Sequence, residues 1–199
     1  MASEKPDKHT THTCPVWAGY LLVCPLRRIF HNPETILKPY VKEGMKVLEV
    51  GPGMGFFTLP LAEMVGPEGM VYAVDIQEKM LEVLKNRAKK KGLSRRIETI
   101  LATGQSLGIS HLSNIDFCLL FAVVHEVPYR EKLFEEIGHV LGPEGYVLMA
   151  EPKGHVSKDS FQEFIDIAKR KGFTVVSEQK IFRSRAVLLK KTPQHPKAS

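Results

Sequence analysis

Seven consecutive residues, Glu49-Val50-Gly51-Pro52-Gly53-Met54-Gly55, carry the most specific chemistry in this chain of 199 residues. Glycine has no Cβ, so such a turn bends tightly and lets a ligand approach the backbone, while a helix opening after it aims N–H groups at that ligand. The spacing is G-x-G-x-G, and Phe56 stands where the dinucleotide fingerprint G-x-G-x-x-G requires its last glycine. A pyrophosphate, and with it an NAD-type oxidoreductase, is disfavoured. Glu49 points the same way, because its carboxylate repels a pyrophosphate and attracts a cationic amino group. Asp75 follows Gly55 by twenty residues, the position from which an acidic side chain accepts hydrogen bonds from ribose hydroxyls in nucleoside-binding α/β folds. Asp75-Ile76-Gln77-Glu78 also has the form of a capping box, so Asp75 doubles as a candidate helix cap. A zwitterionic, positively charged ligand fits these residues.

A second set of residues is suited to moving a proton. His125 and Glu126 follow Phe121-Ala122-Val123-Val124, and Glu151 and His155 follow Val147-Leu148-Met149-Ala150. A neutral imidazole near pH 7 takes a proton from a hydroxyl, a thiol or an acidic carbon, which makes His125 the first candidate base; its alternative is a structural or capping role before Pro128. Glu151, just ahead of Pro152, is expected at a strand tip facing the cleft as the second catalytic candidate, or else as an exposed loop carboxylate. Glu126 equally suits a solvent-facing position, and His9 and His12 fall in a polar arm. The cysteines Cys14, Cys24 and Cys118 are scattered and form no C-x-x-C pair, so neither a disulfide framework nor a metal site is expected. Cys118 lies within a strand pattern and suits an inert core thiol.

These residues need a scaffold that brings strand ends together. Met45–Val50 is a short β-branched run ending at the glycines, and Phe56–Val65 carries apolar residues at helical spacing until Gly66-Pro67-Glu68-Gly69 breaks it. Strand and helix alternate onward: strands at 70–74, 96–101, 115–121 and 146–150, helices at 77–91, 129–141 and 158–171. Gly142-Pro143-Glu144-Gly145 is expected to end the helix at 129–141. Two closing strands, 173–179 and 186–190, have no helix between them. The βαβ alternation requires right-handed crossovers and a parallel sheet, so the fold expected is a doubly wound α/β sheet with a terminal antiparallel hairpin.

Val47-Leu48-Glu49-Val50-Gly51-Pro52-Gly53-Met54-Gly55 with Val74-Asp75 resembles the first two motifs of the class I S-adenosylmethionine-dependent methyltransferases. Ile115–Phe121 is similar to their fourth-strand motif, and Leu141–Leu148 to their "LkPGG" turn and fifth strand. The likeness spans roughly residues 30–190, with closest kinship to the quinone-biosynthesis and small-molecule branch, and is specific for cofactor and fold rather than for substrate. It implies a Rossmann-like seven-stranded sheet of order 3-2-1-4-5-7-6 with the last strand antiparallel. It implies further that Glu49, Gly51, Gly53 and Gly55 hold the methionine moiety of S-adenosylmethionine, Asp75 the ribose and Ile76 the adenine, with Phe121 on the methionine side. Where such proteins often read Gly-Asp-Ala after the third strand, this one has Ala102-Thr103-Gly104, leaving Thr103 or a backbone group to meet the adenine amino group.

Composition sets the outer bounds. An apolar fraction of 43% suffices for one domain, expected over residues 14–190 between a polar arm at 1–13 and a tail at 191–199, both too polar to pack. The apolar run Val16–Cys24 falls well short of the ~18 residues of a membrane span and lacks a signal cleavage site, so a cytoplasmic location is expected. Residues 14–44 are expected to cover the site as a lid, or to pack on the sheet as core. The net charge of +6 is dispersed, with Lys89-Lys90-Lys91 and Arg95-Arg96 placed as a solvated helix end. No Asn/Asp-Pro-Pro-aromatic tetrad follows the fourth strand, which argues against a nucleobase in DNA or RNA and for a compact or apolar small-molecule acceptor. Methylation of RNA or another macromolecule, or cofactor binding without turnover, are the alternatives.

Overall fold

The computed structural model describes residues 31–192. The arm at 1–13, residues 14–30 of the expected lid with Cys14 and Cys24, and the tail from residue 193 lie outside the described residues. Strands β1 (Lys46–Val50), β2 (Met70–Asp75), β3 (Ile97–Leu101), β4 (Ile115–Phe121), β5 (Leu141–Pro152), β6 (Phe173–Gln179) and β7 (Ser184–Lys191) form one sheet. Helices α1 (Pro33–Leu37), α2 (Thr58–Met64), α3 (Glu78–Lys90), α4 (Arg130–Val140) and α5 (Lys158–Arg170) accompany it. The strand order is β3-β2-β1-β4-β5-β7-β6, with β1 to β5 parallel and β7 antiparallel to both its neighbours, the expected Rossmann-like topology.

Side chains that alternate along a strand point to opposite faces, and the central strands here bury both. Val47, Val71, Phe117, Leu119 and Leu148 face one core with α1, α2 and α3; Leu48, Cys118, Leu120, Val147 and Met149 face the other with α4 and α5. Burial on both sides explains why β1 and β4 are nearly continuous apolar runs. Cys118 is fully buried in the second core, where desolvation and the nearby Glu49 carboxylate raise its thiol pKa strongly, so it stays a protonated core thiol as expected.

Two boundaries differ from the sequence expectation. The Gly142–Gly145 segment does not separate α4 from a strand beginning at Tyr146; it is an extended bulge within β5. Leu141 already pairs with Ile115, whereas Phe117 pairs with Tyr146. A Cβ on Gly145 would fall 2.7 Å from the Ile115 carbonyl oxygen and 2.6 Å from Leu141 Cγ, so the glycine lets the bulge lie against β4. Phe56 and Phe57 belong to the glycine turn, and α2 starts only at Thr58, two residues later than the apolar periodicity suggests.

Candidate active site

In an open α/β sheet the ligand crevice lies outside the carboxyl ends of the strands where the order reverses, here between β1 and β4. The backbone ladder runs on past those ends, with Gly51 N–H donating to Val74 O (2.9 Å), Ala102 N–H to Asp75 O (2.9 Å) and Ala122 N–H to Ala150 O (2.7 Å). These bonds hold the four loops that wall a cavity of about 480 Å³, within the roughly 300–1,000 Å³ usual for small-molecule sites.

The glycine turn forms one wall. Gly51 sits at φ +74, and a Cβ there would lie 2.7 Å from Val123 Cγ2 on the opposite loop. Gly53, at φ +53, has no atom of the described residues within 4 Å of where its Cβ would be. Its N–H donates to Asp75 Oδ2 at 3.2 Å, and Gln77 N–H donates to Asp75 Oδ1 at 2.9 Å. Asp75 therefore ties the turn to Gln77, the residue that opens α3. Burial, partly offset by those backbone donors, raises its pKa. Ile76, beside it, lines the cavity with an apolar surface 50% exposed among the described residues. Glu49 is buried at the turn's base and accepts the Thr58 hydroxyl at 2.6 Å.

The opposite wall is the loop after β4. Ala122 holds a left-handed φ of +58, unusual for a residue with a Cβ, and a 3-10 turn follows over Val124–Glu126. Glu151, at the end of β5, is fully buried. Its Oε1 accepts the N–H groups of Val123 (3.2 Å) and Val124 (2.7 Å), and its Oε2 lies 2.6 Å from His125 Nδ1. From the other side Arg130 donates to the carbonyls of Val124 (3.1 Å) and His125 (3.2 Å). The hydrogen bond from Glu151 raises the His125 pKa above the ordinary 6.5, burial and Arg130 pull it down, and the Glu151 and Glu126 charges push it up further.

The structure thus brings Glu49, Gly51, Gly53, Asp75, Ile76, Phe121 and His125 to one cavity and leaves three predicted residues off its wall. Gly55 packs: at φ +85, its missing Cβ makes room for Leu84 of α3, 2.5 Å from where that atom would be. Thr103 turns away, its hydroxyl 3.3 Å from Ser106 O, and the wall there is Ala102, Gly104 and Leu107. Glu151 does not face the cleft as expected, because its carboxylate is consumed by the loop it braces. Sequence reasoning missed Phe56, Phe57, Met80 and Tyr129 as lining residues. Tyr129 gave no motif signal, yet it spans from the start of α4 to donate to Thr103 O at 3.1 Å.

A family model described as "Methyltransferase domain" matches residues 41–188, most of the chain. The chain belongs to the methyltransferase domain family. Among curated relatives, it is 34% identical over 119 residues to the protein-L-isoaspartate O-methyltransferase of Methanothrix thermoacetophila, covering 60% of this chain and 52% of that protein. To the demethylmenaquinone methyltransferase of Geobacillus stearothermophilus it is 32% identical over 125 residues, covering 63% and 53%. The chain spans about half the length of these relatives. Among solved structures, a SAM-dependent methyltransferase from Aquifex aeolicus superposes with a TM-score of 0.78 at 28% identity, covering 89% of this chain and 98% of that one. The fold is also that of the [4+2]-cyclase SpnF, 13% identical at a TM-score of 0.68, so the scaffold alone does not select the reaction.

For a methyltransferase domain the charge at this site is notable. Glu49, Asp75 and Glu126 put three carboxylates on the cavity of a chain whose net charge is +6. Glu126 is itself raised in pKa, first by burial and then by the Glu151 and Asp75 charges, while His125 lowers it. Such a field favours a cationic guest over an anionic one.

Proposed function

We propose that the protein transfers a methyl group from S-adenosylmethionine to a small-molecule acceptor. The observation that carries this reading is the single cavity joining the glycine turn and Asp75 to His125 across the switch point. The residues fit the cofactor. Gly53 offers backbone with open space where a side chain would stand, Asp75 presents a carboxylate for vicinal hydroxyls, and Ile76 offers an uncovered apolar face for a purine. Glu49 and the surrounding carboxylates suit the positive charge of the sulfonium and the amino group. When bound, the cofactor supplies an electrophilic methyl group; the chain's residues hold it, orient the acceptor and exclude water. Phe56, Phe57 and Phe121 form the apolar side of the cavity, with Phe57 and Phe121 ring centroids 4.5 Å apart, which favours a compact or apolar acceptor over a polynucleotide.

Thermal denaturation with S-adenosylmethionine, S-adenosylhomocysteine and NAD tests the cofactor. At about a hundredfold excess over Kd, a ligand of the native state adds roughly 2.7 kcal/mol, a rise of several degrees for a domain of this size. Stabilisation by both sulfur nucleosides and not by NAD is expected; a response to NAD alone overturns the reading. Label from radioactive S-adenosylmethionine appearing in extracted small molecules then supports the acceptor class. Label in RNA, or binding without transfer, overturns it.

A further inference from the structure

We infer that His125 is the general base of the reaction, that Glu151 positions it, and that the acceptor therefore reaches the site as a neutral group with a proton to lose, a hydroxyl or a thiol. This rests on the methyl-transfer reading above and narrows it. The geometry sets the tautomer. A fully buried carboxylate oxygen 2.6 Å from Nδ1 leaves that nitrogen one role, to donate, so in the neutral ring the lone pair stands on Nε2. His125 lines the cavity, and Glu126 Oε1 stands 3.9 Å from its Nε2, beyond a direct hydrogen bond.

The ring is held on several sides. Glu151 takes two backbone N–H groups of the same loop, Arg130 of α4 takes two of its carbonyls, and the His155 ring packs edge-on with centroids 6.0 Å apart. The loop starts from the left-handed Ala122, stitched to β5 through Ala150. Bracing from β4, β5 and α4 around one imidazole exceeds what the packing of a histidine requires. It is what a base needs when its lone pair must meet a proton in one direction.

In the proton step, the acceptor's O–H or S–H bond breaks and an Nε2–H bond forms. The pair left on oxygen or sulfur bonds the methyl carbon, and the donor's sulfur keeps the electrons of the carbon–sulfur bond that breaks. The imidazolium so formed lies against the Glu151 carboxylate, which offsets its charge. An acceptor that is already a carboxylate has no proton to give at neutral pH and meets the field of Glu49, Asp75 and Glu126, so this site disfavours it. The groups facing His125 are Glu151 from β5, Glu126 from its own turn, His155 from the loop after β5 and Arg130 from α4, with Asp75 of β2 beyond Glu126.

Nitrogen-15 NMR of histidine-labelled protein saturated with S-adenosylhomocysteine tests the base, with His125→Gln assigning the resonance. Expected are a protonated Nδ1 with a bare Nε2 in the neutral ring, and a titration midpoint above 6.5 that falls in Glu151→Gln. An Nε2–H tautomer, or a midpoint that Glu151→Gln leaves in place while the nucleoside still binds, overturns the dyad. Failure of the nucleoside to bind the wild type removes the cofactor reading instead, and the tautomer is still read without it. For the acceptor, the protein is incubated with labelled S-adenosylmethionine and catechol, 2-mercaptoethanol and benzoate. Label in the phenol or the thiol is expected, rising tenfold per pH unit below the NMR midpoint and lost in His125→Gln. Label chiefly in benzoate, or in neither protic probe, overturns the acceptor class.

Discussion

Gly51 meets two demands that no other residue satisfies together: a left-handed backbone and a space already filled by Val123. Gly51→Ala is expected to cost about 1–3 kcal/mol in urea denaturation and to weaken S-adenosylhomocysteine binding, because the strain pushes the β4 loop outward. Asp75→Asn keeps an oxygen for one backbone donor but loses charge-assisted acceptance, so calorimetry should show affinity for the nucleoside reduced by about tenfold or more. His125 also makes stability depend on pH. Its folded pKa lies above the unfolded 6.5, so its pairing with Glu151 stabilises the fold fully below about pH 6.5 and is lost as pH rises through the folded value. Wild type should therefore lose stability between pH 6 and 8 relative to Glu151→Gln in paired urea titrations. A parallel decline in both would mean that the pair contributes nothing.

At the scale of elements, helix ends and sheet irregularities aim the loops. α5 is capped by Ser157, whose Oγ accepts Ser160 N–H at 3.0 Å, and it buries Phe161, Phe164 and Ile165 behind β5. Its Phe164 ring lies 5.0 Å under the Arg130 guanidinium, so this helix backs the arginine that clamps the His125 loop. Ser157→Ala should cost about 1 kcal/mol by chemical denaturation while nucleoside affinity stays unchanged, since Ser157 itself does not line the cavity. The β5 bulge is more sensitive. Gly145→Ala drives a methyl into the Ile115 carbonyl and should shift the β4–β5 register enough to lower both stability and binding, a coupling that the Ser157 variant lacks.

For the whole molecule, one mixed sheet, parallel from β1 to β5 and covered on both faces, places four strand ends at a common crevice and makes the site a product of the topology. Both cores share the sheet, so unfolding of the domain should be a single transition, with coincident fluorescence and circular-dichroism curves. Much of this was legible in the chain. Apolar runs at β1 and β4, glycine after β1 and after α2 and helical spacing in α3 and α5 are local signals, and local signals decide elements. The motif Glu49–Gly55 with Asp75 announced one wall of the cavity, because backbone curvature and a carboxylate at a strand tip are written in residue type and spacing. What the chain could not announce depended on which groups meet across the sheet. Glu151 looked like a cleft residue until β5 was seen to bury it against the β4 loop; Gly55 looked like a ligand contact until Leu84 of α3 occupied its missing side chain; Tyr129 and Arg130 carried no signal at all. Sequence by itself determined the glycine turn and the alternation of strand and helix, since these follow from propensity, periodicity and handedness, while the strand order came from the resemblance to the methyltransferases. Tertiary structure alone decided which carboxylates line the cavity and which one holds the histidine, because burial and hydrogen-bond partners come from residues distant in the chain and close only in the fold.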